Sequence, residues 1–172
     1  QFGMDKWHET ISTKEFESVL FFKNHGPMSG GSIRHPHSQI IGLRNYDYHE
    51  DITVKNMEGW LLHEDQDIRI TLSKHPIIGF FEYNLRFKPD TPAKSITMRL
   101  QQTVRYVLDS LAKYSQSYNY FFYQLEDGYE YIKVIPRYIT TPLYVGYKIP
   151  QTCNDERAAK ILRNITPYFE LK

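Results

Sequence analysis

The sequence predicts an α+β fold with a mostly antiparallel sheet, and three observations lead there. Apolar and polar residues alternate with period two along Asp67–Lys74 (DIRITLSK) and Ile78–Phe87. A single apolar stripe of helical period runs from Leu100 to Leu111. The order of segments, β-β then β-β-β, α, β-β, α, mixes hairpin-like strand pairs with isolated helices. Tyrosine (14) and phenylalanine (10) are abundant, as suits β-rich structure. A length of 172 residues fits one domain or a duplicated pair of small modules. It allows burial of roughly 70% of the unfolded surface.

Taken in order, residues 1–14 are polar and read as the end of a helix. Ser18–Lys23 (SVLFFK) reads as a strand, followed by a Gly/Ser loop and a second strand from about Arg34 to Leu43. Asn45–Lys55 is polar and reads as a loop or linker. Glu58–Glu64, Asp67–Lys74 and Ile78–Phe87 read as three strands. In the last, Phe81, Tyr83, Leu85 and Phe87 alternate with Glu82, Asn84 and Arg86, which predicts a sheet with one wet face. Thr91-Pro92 starts a helix, with proline at its first position. Leu100, Val104, Val107, Leu108 and Leu111 form that helix's apolar stripe. Tyr118–Leu125 and Tyr129–Ile135 pair through Glu126-Asp127-Gly128, and Pro142–Lys148 reads as a short strand. Asn154 or Asp155 caps a last helix with apolar positions Ala158, Ala159, Ile161, Leu162 and Ile165. Phe21-Phe22 before the histidine segment and Phe121-Phe122 before Tyr131-Ile132-Lys133 suggest a faint repeat, in which His35 corresponds to Tyr131 and His37 to Lys133.

The balance of 21 basic and 20 acidic side chains, with no block of like charge, argues against broad nucleic-acid binding. One cysteine, Cys153, excludes an intrachain disulfide and a Cys-x-x-Cys metal site. No signal peptide and no apolar run of 18 residues is present, so neither export nor a membrane span is expected, and a cytoplasmic location is the default. The chain opens Gln1-Phe2-Gly3-Met4, which suggests processing or the C-terminal part of something longer.

The segment with most chemical content is Lys23–Ile40, where a glycine-rich loop leads into His35-Pro36-His37-Ser38-Gln39. On a strand, His35, His37 and Gln39 would share a face, with the outer two about 13 Å apart, a row able to meet a phosphate ester and its flanking groups. Transfer of a nucleotidyl group needs a nucleophile at phosphorus and donors for the nonbridging oxygens. A neutral imidazole supplies the first, once its other nitrogen is fixed by an acceptor. Backbone N–H groups of Gly30, Gly31 and Ser32 can cradle phosphate oxygens, and the Gln39 amide can bind an oxyanion without acting as a base. Taken alone, a His-x-His pair is also compatible with a structural, metal-binding or simply exposed role.

Asn24-x-Gly26, Gly30-Gly31-Ser32 and His35-Pro36-His37-Ser38-Gln39 together resemble the active-site signature of galactose-1-phosphate uridylyltransferases, within the histidine-triad (HIT) superfamily. Val145-Gly146-Tyr147 and Asp155–Arg163 resemble the segment these enzymes place before their C-terminal helix. The resemblance implies a duplicated HIT-like module. Residues 1–57 would be the C-terminal part of a first, incomplete copy carrying HPHSQ, and 58–172 a second, degenerate copy. It implies nucleotidyl transfer on a nucleotide sugar or sugar phosphate through a covalent nucleotidyl-histidine on His37. An incomplete first copy would leave strand edges without partners, so a homodimer that covers them is expected. Gln39 would hold the phosphoryl oxygens, standing where hydrolytic relatives carry a further histidine. Asn24, Gly30, Gly31 and Ser32 would line the phosphate pocket, Tyr147 would contact substrate, and His35 would bind a structural zinc whose other ligands lie upstream.

The departures matter as much. The cysteine pair for that zinc is not in this chain, and Tyr131 and Lys133 stand where some members carry second-module metal histidines. Pro142-Leu143 and Lys148 flank Val145-Gly146-Tyr147 where the resemblance leads one to expect Lys-Phe and Glu, which weakens galactose 1-phosphate as the substrate. The alternative is a non-catalytic module that binds a nucleotide or phosphosugar. Elsewhere, His25 reads as an exposed loop histidine, and Arg34 as turned away from His35. His49, Glu50 and Asp51 read as a solvated loop, and His63 and His75 as structural strand-edge residues. The tyrosines from Tyr114 to Tyr131 read as core and interface packing.

Overall fold

A computed structural model of the chain describes residues 1–172 except 32, 34, 80, 112, 114, 115, 139, 171 and 172, with Leu111 described by its backbone alone. Seven strands form one antiparallel sheet: β1 (Ser18–His25), β2 (Gln39–Leu43), β3 (Gly59–Glu64), β4 (Ile68–Ser73), β5 (Tyr83–Phe87), β6 (Ser117–Gln124) and β7 (Glu130–Arg137). Their order across the sheet is β2-β1-β6-β7-β5-β4-β3. Four helices accompany them: α1 (Phe2–Ser12), α2 (Ala93–Leu111), α3 (Pro142–Tyr147) and α4 (Asp155–Phe169). The sheet is continuous, with β1 hydrogen-bonded to β6 so that Phe21 lies opposite Phe122 and Phe22 opposite Phe121.

One sheet face packs against α1, α2 and α4. Phe21, Phe122, Ile132, Val134, Leu85, Ile70 and Leu72 bury here with Trp7, Val107, Ile161 and Ile165. The alternation read in the sequence fixes this face, because successive strand residues point to opposite sides. Trp7 is fully buried and its indole N–H donates to the Val19 carbonyl at 2.9 Å, locking α1 onto β1. Along α2 the buried line is Ile96, Thr103, Tyr106 and Val107, with Leu100, Val104 and Leu108 at its margin. In α4, Asn154 caps by accepting the Arg157 N–H, and Ala158, Ile161 and Ile165 turn inward. Leu162 and Ala159 do not: Leu162 is exposed, and so is Ala159.

The other face is largely covered. The connection from β2 to β3, residues 44–58, crosses the whole sheet because those strands are its two edges. It lays Tyr48 and Met57 over Tyr123, Leu125 and Tyr131. Beneath it Glu82, Asn84 and Lys133 are each at most 1% exposed. Polar residues alternating along β5 therefore mark a covered hydrogen-bonded layer rather than solvent. His49 is likewise not merely solvated. Its ring bonds Asp47 on one side and the Gln124 carbonyl, at 2.8 Å, on the other.

Three segments differ from the sequence reading for identifiable reasons. Residues 35–38 precede β2 instead of belonging to it, since Pro36 has no N–H for a ladder and pairing with β1 stops at Phe22 opposite Gln39. Residues 78, 79, 81 and 82 precede β5 because the Glu82 carboxylate takes the N–H groups of Ile77, Ile78 and Gly79 at 2.7, 2.6 and 3.1 Å, turning the chain. Pro142–Tyr147 is a helix rather than a strand. Thr141 caps it by accepting the Leu143 N–H, and Pro142 occupies the first turn.

The buried tyrosines give this fold an alkaline limit. Burial pushes the Tyr118 and Tyr138 hydroxyls up to about 12, the second helped by Glu82, and raises Tyr83, Tyr123 and Tyr131 further. A phenol held neutral in the native state contributes stability that is complete below its unfolded value, near 10, and is lost as pH rises above it. Lys133, pushed down by burial against the pull of Glu82, has the opposite slope, but only below about 10.4. Urea midpoints are therefore expected to fall steadily above pH 10. Tyr83→Phe should flatten that fall, and constant midpoints to pH 11.5 would refute the assignment.

Candidate active site

Asn24, at the end of β1, begins a loop built on two left-handed glycines, Gly26 (φ 79°) and Gly30 (φ 81°). Only glycine adopts these angles freely, and a Cβ on Gly26 would meet Ser117 Oγ at 2.4 Å and the Gln116 carbonyl at 2.9 Å. Between them a 3₁₀ turn at Pro27–Ser29 is held by Ser29 Oγ donating to the Gly26 carbonyl at 2.7 Å. The same hydroxyl accepts the Gly31 N–H at 3.3 Å, and the Met28 N–H is taken by Ser117 Oγ at 3.1 Å. Gly31 packs so closely that a Cβ there would lie 3.2 Å from Asn24 Cβ. Ser32 and Arg34, both singled out in the sequence, lie outside the described residues.

His37 emerges from this loop half-buried, with the exposed His35 ring tilted against it at a centroid distance of 5.6 Å. Its Nδ1 lies 3.0 Å from the His35 carbonyl and its Nε2 lies 3.3 Å from the Gln39 side-chain amide. A carbonyl only accepts, so in the neutral ring this geometry pairs an Nδ1–H donor with the His35 carbonyl and leaves Nε2 as the acceptor for the Gln39 amide. The imidazole is thereby held in the tautomer a nucleophile needs, facing an amide that can transfer its hydrogen bond to an arriving oxyanion. His35, His37 and Gln39 are thus brought together, though by the chain's own backbone and not by strand alternation.

Two residues of this cluster were missed in the sequence because they arrive from β6 and β7. Asn119, 2% exposed, donates through Nδ2 to Asn24 Oδ1 at 2.6 Å and to the Ser29 carbonyl at 3.0 Å. Its own Oδ1 accepts from Arg137 Nη1 at 2.8 Å. The register placing Asn119 opposite Asn24 was the one available signal, and it requires knowing that β1 pairs with β6. Tyr147 is not part of this hydrogen-bonded cluster; it is 75% exposed on α3. His25 is exposed and stacks on Tyr118 at 4.8 Å. His63 and His75 face Asp65 and Glu58, as structural residues do.

A zinc site does not assemble from the described residues. They contain no group of three His, Cys, Asp or Glu side chains able to hold a metal, and Cys153 sits in the helix-side core. His35 offers one imidazole and nothing more.

Family models match almost the whole chain: the N-terminal domain of DUF4931, a domain of unknown function, over residues 1–46, and its C-terminal domain over 49–169. The chain belongs to the DUF4931 family. Among solved structures it resembles a DUF4931 family protein from Bacillus cereus, with 38% identity and a TM-score of 0.84 over 99% of this chain and 77% of that one. More distant is a GalT-like protein from Arabidopsis thaliana, with 14% identity, a TM-score of 0.73, and coverage of 93% of this chain and 65% of that one. A uridylyltransferase structure matches with 16% identity and a TM-score of 0.70, over 95% and 66% of the two chains. At such identities the last two show that this DUF4931 protein shares the GalT-like fold. The chain spans just under two thirds of their length. No curated protein matches it in sequence. No helix among the described residues is long and apolar enough to cross a membrane.

Proposed function

We propose that this DUF4931 protein is a nucleotidyltransferase acting on a nucleotide sugar or sugar phosphate, with His37 as the nucleophile. The observation that carries the reading is the placement of the His37 ring, whose Nδ1 lies 3.0 Å from the His35 carbonyl while Nε2 faces Gln39. In the first half-reaction the Nε2 lone pair attacks the α-phosphorus. The bond to the departing sugar phosphate breaks with its electron pair, leaving a nucleotidyl-histidine. The Nδ1–H bond to the carbonyl steadies the positive charge the ring acquires. Gln39 and loop N–H groups meet the nonbridging oxygens, where charge grows most. In the second half-reaction the phosphate oxygen of an acceptor attacks the same phosphorus and restores free His37.

Two architectural proposals accompany this one. The β1–β2 and β6–β7 pairs are counterparts within a duplicated HIT-like module, residues 1–57 forming part of the first copy and 58–172 the second. Exposed Leu143, Val145 and Tyr147 on α3 suit a homodimer, with Tyr147 reaching substrate there. A zinc at His35 would draw its remaining ligands from outside the described residues.

The test is chemical trapping. Incubation with UDP-glucose or ADP-glucose labelled in the α-phosphate is expected to leave acid-labile label on His37, and none on His37→Asn. The reading fails if neither nucleotide sugar labels the protein, or if label appears undiminished in the variant. Binding measured by calorimetry without label, and unchanged in His37→Asn, would instead favour the non-catalytic binding module.

A further inference from the structure

On the covered face of the sheet, Arg69 of β4 and Arg86 of β5 stand directly opposite each other in register. Like charges facing across strands oppose pairing, so such a pair calls for compensation. Arg69 has it in part, through an exposed contact with Glu64 at 3.3 Å. Arg86 has none from a carboxylate among the described residues. Its guanidinium instead lies 4.4 Å above the Tyr129 ring, and it is half-buried. The next residue across the sheet is Tyr131, 3% exposed, whose hydroxyl donates to Asp127 and accepts from Arg86.

An open cleft of about 390 Å³ lies against this pair, with Thr71 and Asn84 among the lining residues; Lys74 at its rim holds its ammonium over the Trp60 ring, 5.2 Å away. Its two acids are already engaged: Glu58 faces His75 at 3.7 Å, and Asp127 takes the Tyr131 hydroxyl and the Tyr129 N–H. A second cleft beside the arginines is lined by four acids, Glu64, Asp65, Asp67 and Asp90, against one further cation, Lys88, which disfavours an anion there. The asymmetry selects one side. Two arginines, one of them with no carboxylate partner among the described residues, face a concave space large enough for a small phosphorylated metabolite and too small for a macromolecular surface.

We propose that the cleft beside Arg69 and Arg86 binds the phosphate of a small phosphomonoester. Arg86 receives two phosphate oxygens on its guanidinium fork, held in plane by Tyr129. Arg69 adds a second donor, and the bound dianion removes the repulsion between the arginines. The site is built from β4, β5 and the segment before β3, so it uses none of Asn24, Gly31, His37 or Gln39 and stands whether or not His37 is a nucleophile.

The experiment uses the full chain carrying His37→Asn, which separates this site from the histidine cluster. Titration with glucose 1-phosphate, followed in ¹H–¹⁵N spectra, is expected to move the Nε–H resonances of Arg69 and Arg86 saturably, whereas glucose moves neither. Arg86→Gln should weaken binding roughly tenfold or more, and Arg69→Gln, at a more exposed position, less. Both variants should melt no lower than the parent in the absence of ligand, because a repulsion is removed. Unmoved arginine resonances, or an affinity unchanged in Arg86→Gln and Arg69→Gln alike, would overturn the proposal.

Discussion

Replacing Lys133 with methionine is expected to cost about 3 kcal/mol of folding stability or more, the usual consequence of removing one member of a buried ion pair. The Lys133 side chain is fully buried, with Nζ 3.1 Å from Glu82 Oε2. It donates to the Asn56 carbonyl at 2.8 Å and Asn84 Oδ1 at 2.7 Å, and reaches Ser73 Oγ at 3.2 Å. Methionine fills a similar volume, so no cavity confuses the result. It leaves four acceptors facing an apolar tip, one of them charged. Glu82 keeps its three backbone N–H donors, which holds the cost below that of a wholly stranded carboxylate.

The same substitution reports on architecture. Asn56 belongs to the connection crossing the sheet, so the ammonium ties that connection down onto β4, β5 and β7. Hydrogen exchange at residues 53–58 is expected to quicken in Lys133→Met well beyond the change in global stability. In the Lys133→Met/Glu82→Gln double variant the losses should fall short of their sum by about 1 kcal/mol or more, since the second change removes the stranded charge. Strict additivity in urea unfolding, or a single-variant loss under 1 kcal/mol, would show that the pair is not coupled.

This layer also explains where sequence reasoning stopped. Period-two alternation along β4 and β5 correctly assigned Ile70, Leu72, Leu85 and Phe87 to the core, because apolar burial is local in its signature. It assigned Glu82 and Asn84 to solvent for the same reason, and there it failed. What covers them is a polar connection whose path is set by β2 and β3 being opposite sheet edges, a long-range fact. Residues 35–38 show a related limit. Alternation put His35, His37 and Gln39 in a row, yet Pro36 keeps the segment off the ladder, and a backbone carbonyl orients His37 instead. The glycines were legible because φ near +80° is a demand the sequence must answer locally. Thr141-Pro142 carried a capping signal that outweighed the β-branched and aromatic content after it.

Asn119→Ala should separate the two halves of the candidate site from each other. Asn119 joins Asn24 and the Ser29 carbonyl of the first-half loop to Arg137 of β7, so its loss unpairs an amide oxygen, a carbonyl and a guanidinium together. Stability is expected to fall by about 1–3 kcal/mol, which leaves the fold intact. The rate of His37 labelling by a nucleotide sugar should fall much further, by roughly 10²-fold, because a loop displaced by about 1 Å no longer aims its N–H groups at the phosphate. The loss should lie in the labelling rate at saturation more than in substrate affinity, since Asn119 is buried and bonds the loop, not the ligand. Arg137→Met tests the outer link of the same chain. It removes the donor that orients the Asn119 amide while leaving both bonds from Nδ2 possible, so its effect on labelling should be smaller and in the same direction. Labelling that tracks thermal stability alone in both variants would reduce Asn119 to a packing residue. A rate loss several times larger than stability predicts would establish that β6 and β7 position the loop around His37.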